Sequence, residues 1–236
     1  MFTKSARFYN AIYSFKDYAK EADELHEIIG SHLKSAGNTL LDVACGTGNH
    51  LVEMSRWYDV HGVDLDSDLL GLVPDQIQKD HLHAGDMRTF ELGFQVDVVT
   101  CLFSSIGYMT NLEDLRKAAA NMARHVKPGG VMIVEPWLYK ENYKSPHLHM
   151  LTVDEDDLKI SRISQGGRRD DVSVIDFQYL IVTHDEVIRE SEHHELGLYD
   201  QTEYHAVLEG AGLQVDYDPI GPMGRGLFVG SKPSFG

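Results

Sequence analysis

Long apolar runs are missing from this chain. No apolar stretch approaches the ~18 residues that a membrane-spanning helix needs. The first fifteen residues, MFTKSARFYNAIYSF, mix charges and aromatics where a signal peptide carries an unbroken apolar core. A cytosolic protein is expected. Cysteine is scarce, with only Cys45 and Cys101 in 236 residues. Two thiols far apart in sequence make no disulfide framework and read as buried and reduced. Positive charge is short as well: 21 Lys+Arg face 37 Asp+Glu, for a formal net charge of −16. That field repels polyanions and argues against nucleic acid, while a small anionic substrate is still allowed where a few arginines gather. Histidine is plentiful, at 13. The HLH pairs at 81–83 and 147–149 put two rings on one strand face, but no Cys/His/carboxylate set recurs at ligand spacing, and HHEL is not H-E-x-x-H. No metal is expected; His147 or His149 stays open as a substrate neighbour.

What is present is an alternation. Ala19, Ala22, Leu25, Ile28, Ile29 and Leu33 recur at helical spacing over 16–35, and Gly37 fits the stop. Strands are expected at 39–44, 59–66, 81–84, 96–105 and 131–137, with helices at 49–58 and 111–126 between them. This is the pattern of an open parallel α/β sheet. It changes at 148–199, where LKISRIS, DVSVIDFQYLIV and VIRESEHHELGLY read as antiparallel hairpins with a turn at GGRRDD. A helix at 201–211 and two strands, LQVDYD and GLFVG, close the chain. No internal repeat or low-complexity tract is visible.

Four signals follow four successive strands. The stretch LLDVACGTGNHL (40–51) supplies Asp42, Ala44, Gly46 and Gly48 in an apolar-D-x-x-x-G-x-G turn. A dinucleotide fingerprint would need a third glycine where Leu51 stands, and a phosphate loop would need Lys-Ser/Thr where Asn49 and His50 stand. The turn therefore admits close backbone approach without phosphate apparatus, which suits a nucleoside with an amino-acid tail. Asp64, 22 residues after Asp42 and followed by Leu65, ends the second strand where an acid can accept both ribose hydroxyls. In HAGDMRTF, Asp86 can accept from an exocyclic adenine amine and Met87 can pack on the ring. CLFSSIGY places Phe103, Ser105 and Tyr108 at the carboxyl edge of the fourth strand. Together these point to S-adenosylmethionine as cofactor.

On these stretches, with GVDLD, VKPGG and VEPW, the sequence resembles the class I S-adenosylmethionine-dependent methyltransferases over nearly its whole length. FYNAIYSFKDYAKEA, FSSIGY and GRGLFVG make it most similar to the TDP-amino-sugar N,N-dimethyltransferases of the desosamine and mycaminose type. The resemblance implies a Rossmann-like sheet, mostly parallel with an antiparallel last strand, and an antiparallel β insertion after the fifth strand. It divides the chain into a helical cap (1–37), a cofactor-binding core (38–140), an insertion for substrate and dimer contacts (141–200) and a closing helix and strands (201–236). It implies a small-molecule acceptor, an amine and more narrowly a nucleotide-linked amino sugar. The insertion is strand-rich, and isolated hairpins need a partner surface, so a homodimer is expected.

Methyl transfer from a sulfonium is an in-line displacement with a leaving group already activated, so catalysis rests mainly on positioning and on excluding water. An amine must be neutral when it attacks. Tyr9 and Tyr13 lie one helical turn apart; Tyr9 is placed at the site, and Tyr13 either closes the helix onto the core or joins the cofactor. Ser105 and Tyr108 can orient the amine or a sugar hydroxyl, or cap the turn. Trp137 either fills the core or walls the acceptor pocket. Arg225, between two glycines, can reach a phosphate. Lys144, Arg162, Arg168 and Arg169 are candidates for a diphosphate pocket. Two alternatives stay open: an O- or C-methyltransferase of another small metabolite, and a non-catalytic protein that binds S-adenosylmethionine.

Overall fold

Thr39–Val43 (β1), Asp59–Asp64 (β2), Leu82–Ala84 (β3), Val96–Cys101 (β4) and Val126–Val134 (β5) are the strands of the α/β alternation in a computed structural model that describes residues 6–234. The first five and last two residues of the expected cap and closing segment lie outside it. β4 is buried at every position and β1 at all but its first. Sheets covered on both faces need such continuous apolar runs. β1 pairs in parallel with β2 and β4, β2 with β3, and β4 with β5. The closing strands Gln214–Asp218 (β10) and Leu227–Ser231 (β11) complete the sheet, β11 running antiparallel to both β5 and β10. The order is β3-β2-β1-β4-β5-β11-β10. Connections reverse direction between β1 and β4, and a crevice opens at the carboxyl ends of the strands there.

The helices cover both faces. Tyr18–His32 (α2) starts at Asp17, whose carboxylate accepts the Lys20 amide at 3.0 Å. Leu112–His125 (α5) starts at Asn111, which accepts the Asp114 amide at 2.9 Å, and turns Leu115, Ala118, Ala119, Met122 and Ala123 into the core. Each large side chain buried this way contributes roughly 1.5–3 kcal/mol. Gln201–Gly210 (α6) carries a capping box between Asp200 and Glu203. Asn49–Met54 (α3) stops short of the expected 58, because Trp57 stacks on His26 of α2 at 4.2 Å and the Tyr58 hydroxyl bonds the same imidazole at 3.0 Å. β4 also ends early, at Cys101: Phe103 and Ser104 take φ of 51° and 61°, and Ser105–Tyr108 form a 3₁₀ turn. Tyr9–Ile12 (α1) and Ser67–Leu70 (α4) are single turns.

After β5 come four antiparallel strands, His147–Glu155 (β6), Leu158–Arg169 (β7), Val172–Thr183 (β8) and Val187–Gly197 (β9), in sequential order. The β7–β8 turn is tighter than GGRRDD suggests. Gly166 and Gly167 lie inside β7, where a Cβ on Gly166 would sit 2.0 Å from the His147 ring, and the chain reverses at Asp170, with φ of 52°. Ile160, Tyr179 and Ile181 of this sheet pack against Phe8, Ile12 and Tyr13. The N-terminal segment thus clamps the insertion over the crevice. No helix among the described residues is long and apolar enough to cross a membrane.

Candidate active site

The carboxyl ends of β1 to β4 converge on a cavity of ≈ 460 Å³, with an extension of ≈ 40 Å³ under the glycine turn. The main volume falls within the range of small-molecule sites, about 300–1,000 Å³. Ala44 and Gly46 line both spaces. Both have positive φ, 62° and 57°, and a Cβ on Gly46 would project into open space, the room a ligand needs. Four non-glycine residues among those described have positive φ, and Ala44 and Phe103, two of the four, border this site. Backbone strain of this kind costs about 1–3 kcal/mol per residue and gathers at functional sites.

Acids line one end. Asp64 is 8% exposed; one carboxylate oxygen accepts the Gly46 amide at 2.7 Å and the other accepts the Asp66 amide at 2.8 Å. Each oxygen keeps a second lone pair, so two hydroxyls can still be accepted. Burial raises the pKa of this carboxyl. Leu65 and Met87 supply apolar surface beside it. Asp86 is held more tightly than its motif suggests: Arg88 gives one oxygen its amide at 2.9 Å and Nε at 3.0 Å, and gives the other Nη2 at 2.5 Å. An adenine amine would have to displace one of these bonds. The same guanidinium reaches Asp114 at 2.9 Å. Beneath the turn, Asp42 accepts the Thr100 hydroxyl at 2.7 Å, and burial pushes its carboxyl up to about 6. Phe103 closes that extension.

Hydroxyls wall the other end. Tyr9, Ser105 and Tyr108 all line the cavity. Asn10, next to Tyr9, accepts from the Thr47 hydroxyl and the Asn49 amide, both at 2.9 Å, which seats α1 on the glycine turn. Tyr108 keeps 39% of its surface exposed, yet its hydroxyl is deep enough for burial to raise its pKa strongly. The insertion completes the wall through His193, His194 and Glu195.

A family model described as "Methyltransferase domain" matches residues 40–130. The chain is 37% identical to the dTDP-3-amino-3,4,6-trideoxy-alpha-D-glucopyranose N,N-dimethyltransferase of Streptomyces venezuelae, over 91% of each chain. It is 36% identical to the dTDP-4-amino-2,3,4,6-tetradeoxy-D-glucose N,N-dimethyltransferase of Saccharopolyspora spinosa, over 96% of this chain and 92% of the relative. The structure aligns with Streptomyces venezuelae DesVI at a TM-score of 0.91 and 36% identity, covering 98% of this chain and 99% of the other. It aligns with SAM-bound CalS10, an amino pentose methyltransferase from Micromonospora echinaspora, at 0.85 and 31%, covering 98% of each. This chain belongs to the class I S-adenosylmethionine-dependent methyltransferases.

S-adenosylmethionine is therefore the cofactor, and the residues present fit it. The open space at Gly46, the free lone pairs of Asp64 and the small acidic extension at Asp42 answer a nucleoside with an aminoacyl tail. Four residues singled out in the sequence lie elsewhere. Tyr13 is a core residue of this methyltransferase, its ring 5.1 Å from Phe103 and its hydroxyl accepting from Arg162 at 3.1 Å. Gly48 caps α3 at φ 76° and packs on Val73. Trp137 donates to the Ser173 hydroxyl at 2.9 Å, and Arg225 stacks on it at 5.0 Å while donating to Ser104 at 2.8 Å; neither lines the cavity.

His147 and His149 are on β6, across the insertion sheet from β9 and away from the cavity. Arg162 is buried between the Tyr13 and Phe177 rings, Arg168 pairs with Asp171, and Lys144 is exposed. Only Arg169 of the four reaches the rim, through Glu195 at 2.8 Å. Asp59, His61 and His81 come together at the β2–β3 edge, outside the site. Tyr18, Thr47 and His50 in the extension, and Arg88, Thr110 and Asp114 in the main cavity, had no site role assigned from the sequence, although Thr47, His50 and Arg88 lie within LLDVACGTGNHL and HAGDMRTF. His50 carried a faint signal, since it replaces the phosphate-loop residue; its Nε2 meets Glu21 at 2.9 Å, and Glu21 meets Lys16 at 2.7 Å.

Proposed function

We propose that this methyltransferase transfers methyl groups to the nitrogen of a nucleotide-linked amino sugar. The observation that carries this is the charge of one cavity. Asp64, Asp66, Asp86, Asp114 and Glu195 line it against the single guanidinium of Arg88, and three hydroxyls close its far end. A negative field of this kind favours cationic groups, a sulfonium and an ammonium, and disfavours a diphosphate within the cavity. The nucleotide then belongs at the rim, near Arg169, with the sugar inside. The relatives' names support an amino-sugar nitrogen, and they differ between a 3-amino and a 4-amino sugar.

S-adenosylmethionine, when bound, supplies an electrophilic methyl group and a neutral thioether leaving group. The chain's own residues hold the partners. Asp64 accepts the ribose hydroxyls, Met87 and Leu65 flank the base, and Asp42 faces the tail ammonium. Tyr9, Ser105 and Tyr108 orient the acceptor amine. The clamp of α1 and the insertion excludes water, and positioning supplies most of the rate. Labelled-cofactor turnover on amino sugars, free and nucleotide-linked, with mass spectrometry to count methyl groups, tests this. Turnover confined to alcohol or carbon acceptors refutes it.

The methyltransferase also forms a homodimer in this proposal. Leu148, Met150, Ile163 and Leu180 are 77%, 63%, 49% and 42% exposed on the outer face of the insertion sheet, and Met150 stands directly opposite Ile163. Apolar side chains grouped on one sheet face mark an interaction surface. A cytosolic location accompanies a charged nucleotide substrate, which does not cross membranes unaided.

A further inference from the structure

The wall of the cavity is backed by a hydrogen-bonded chain that no sequence motif indicated. The Tyr108 hydroxyl lies 2.7 Å from Nδ1 of His194. Nε2 of His194 lies 3.3 Å from an oxygen of Glu192, two residues back on the same face of β9. That oxygen also accepts the Tyr179 hydroxyl at 2.9 Å. His194 is 2% exposed and Glu192 8%. A carboxylate accepts only from a protonated ring nitrogen, so Glu192 fixes the proton on Nε2 and leaves Nδ1 bare. Tyr108 then donates to Nδ1, and its oxygen lone pairs are turned to the cavity.

We propose that Tyr108, His194 and Glu192 form a proton relay that takes the acceptor's ammonium proton, with His194 as the positioning residue that receives it through Tyr108. This rests on the amine substrate proposed above. The N–H bond of the ammonium breaks and its electron pair stays on nitrogen, ready to attack. The proton joins the Tyr108 oxygen while the original Tyr108 proton moves to Nδ1 of His194. The positive charge ends on the imidazolium beside the Glu192 carboxylate. No electrons are exchanged with an external reagent. Each methyl transfer regenerates an ammonium, so a second round needs the relay emptied to solvent through the cavity.

Burial keeps Tyr108 neutral, so it serves as a conduit and not as a phenolate base. Charged and aromatic groups face His194 from each neighbouring strand. From β9 itself the Glu192 carboxylate meets its Nε2; from β8 the Phe177 ring meets it edge-on at 5.2 Å, and Tyr179 anchors Glu192. From β7 the Arg162 guanidinium stands 4.9 Å over Phe177. From the 3₁₀ turn Tyr108 contacts it. Neighbouring His193 points to the other face and pairs with Asp176 and Glu195.

The test is kcat/KM for a nucleotide-linked amino sugar from pH 6 to 9, comparing wild type with His194→Gln and Glu192→Gln, with calorimetric S-adenosylmethionine affinity as the check on folding. Gln at 194 can bond Tyr108 but cannot take a proton. His194→Gln should lose about 100-fold near pH 7, the low end for a general base, and converge on wild type by pH 9, where bulk water deprotonates the amine. Glu192→Gln should show a smaller loss with the same convergence. A loss equal at every pH, or none, overturns the relay and leaves the substrate proposal intact. Wild type without turnover on any amine overturns the substrate proposal, and the relay with it. If His194→Gln fails to bind cofactor, Tyr108→Phe cuts the same relay and must show the same convergence.

Discussion

The Asp64 carboxylate accepts the Gly46 amide at 2.7 Å, tying the end of β2 to the glycine turn of β1. One side chain thus shapes the turn and faces the cavity. Asp64→Ala removes a charged acceptor from the ribose and leaves the Gly46 and Asp66 amides without it. Cofactor affinity should weaken by roughly 1–3 kcal/mol, with a comparable loss of folding stability. Calorimetry on the folded variant checks the first and thermal melting the second. Unchanged affinity would refute the ribose role.

Asp42 ties affinity to pH. Burial pushes its carboxyl up to about 6, with His50 and the Thr100 hydroxyl pulling the other way. A carboxyl raised above its unfolded value stabilises the fold when protonated. That contribution, up to about 3 kcal/mol, is complete below about pH 4 and lost as pH rises through 6. A bound cation reverses the preference, so cofactor binding should release a proton near pH 6 and tighten from pH 5 to 7. Asp42→Asn should flatten both slopes, with buried Asp64 leaving a residual one. Calorimetry in buffers of different ionisation enthalpy counts the protons, and none released by wild type at pH 6 would rule this out.

The sheet was legible because its strands are buried on both faces, which leaves continuous apolar runs such as VDVVTC, and because turns need residues such as Gly46. The cavity-lining residues Ala44, Gly46, Asp64 and Asp86 were legible for the same reason: they sit at strand ends, where the motif and the geometry coincide. The sequence leaves Tyr13 open between core and cofactor, and the structure packs it in the core beside Phe103, while Gly48 caps α3 against Val73; spacing cannot say which side of a one-turn helix or a glycine turn faces a ligand. His194 was missed as part of the site because it comes from a sheet that folds back from 86 residues beyond Tyr108. Alternation shows that residues 192 and 194 share a face, but not that this face meets the 3₁₀ turn.

The proposed homodimer rests on an apolar face that Ile163 and Met150 share across β6 and β7. Ile163→Lys places a charge in that face without disturbing the core, since Ile163 is exposed. Sedimentation should show wild type as a dimer at micromolar concentration and the variant shifted to monomer with an unchanged melting temperature. A wild-type monomer across working concentrations would eliminate the proposed interface.

The last prediction separates orientation from obligatory base catalysis. Tyr108 lines the cavity and its hydroxyl bonds His194 Nδ1 at 2.7 Å, so Tyr108→Phe keeps the wall and removes one oriented hydrogen bond. kcat should fall roughly 10- to 100-fold near pH 7, with cofactor affinity unchanged. Burial holds the Tyr108 hydroxyl neutral across pH 7–9, so its own ionisation adds nothing to the profile. The variant's rate should therefore climb with pH as the amine deprotonates in bulk, and approach wild type at the alkaline end. Tyr9→Phe should share the modest loss but also weaken the cofactor, because Tyr9 lines both the main cavity and the extension beneath the glycine turn. If Tyr108 were the sole proton acceptor, turnover would vanish at every pH with binding intact. Steady-state kinetics of Tyr108→Phe and wild type over pH 7–9 decide between the two, and abolition throughout would defeat a mechanism based on positioning.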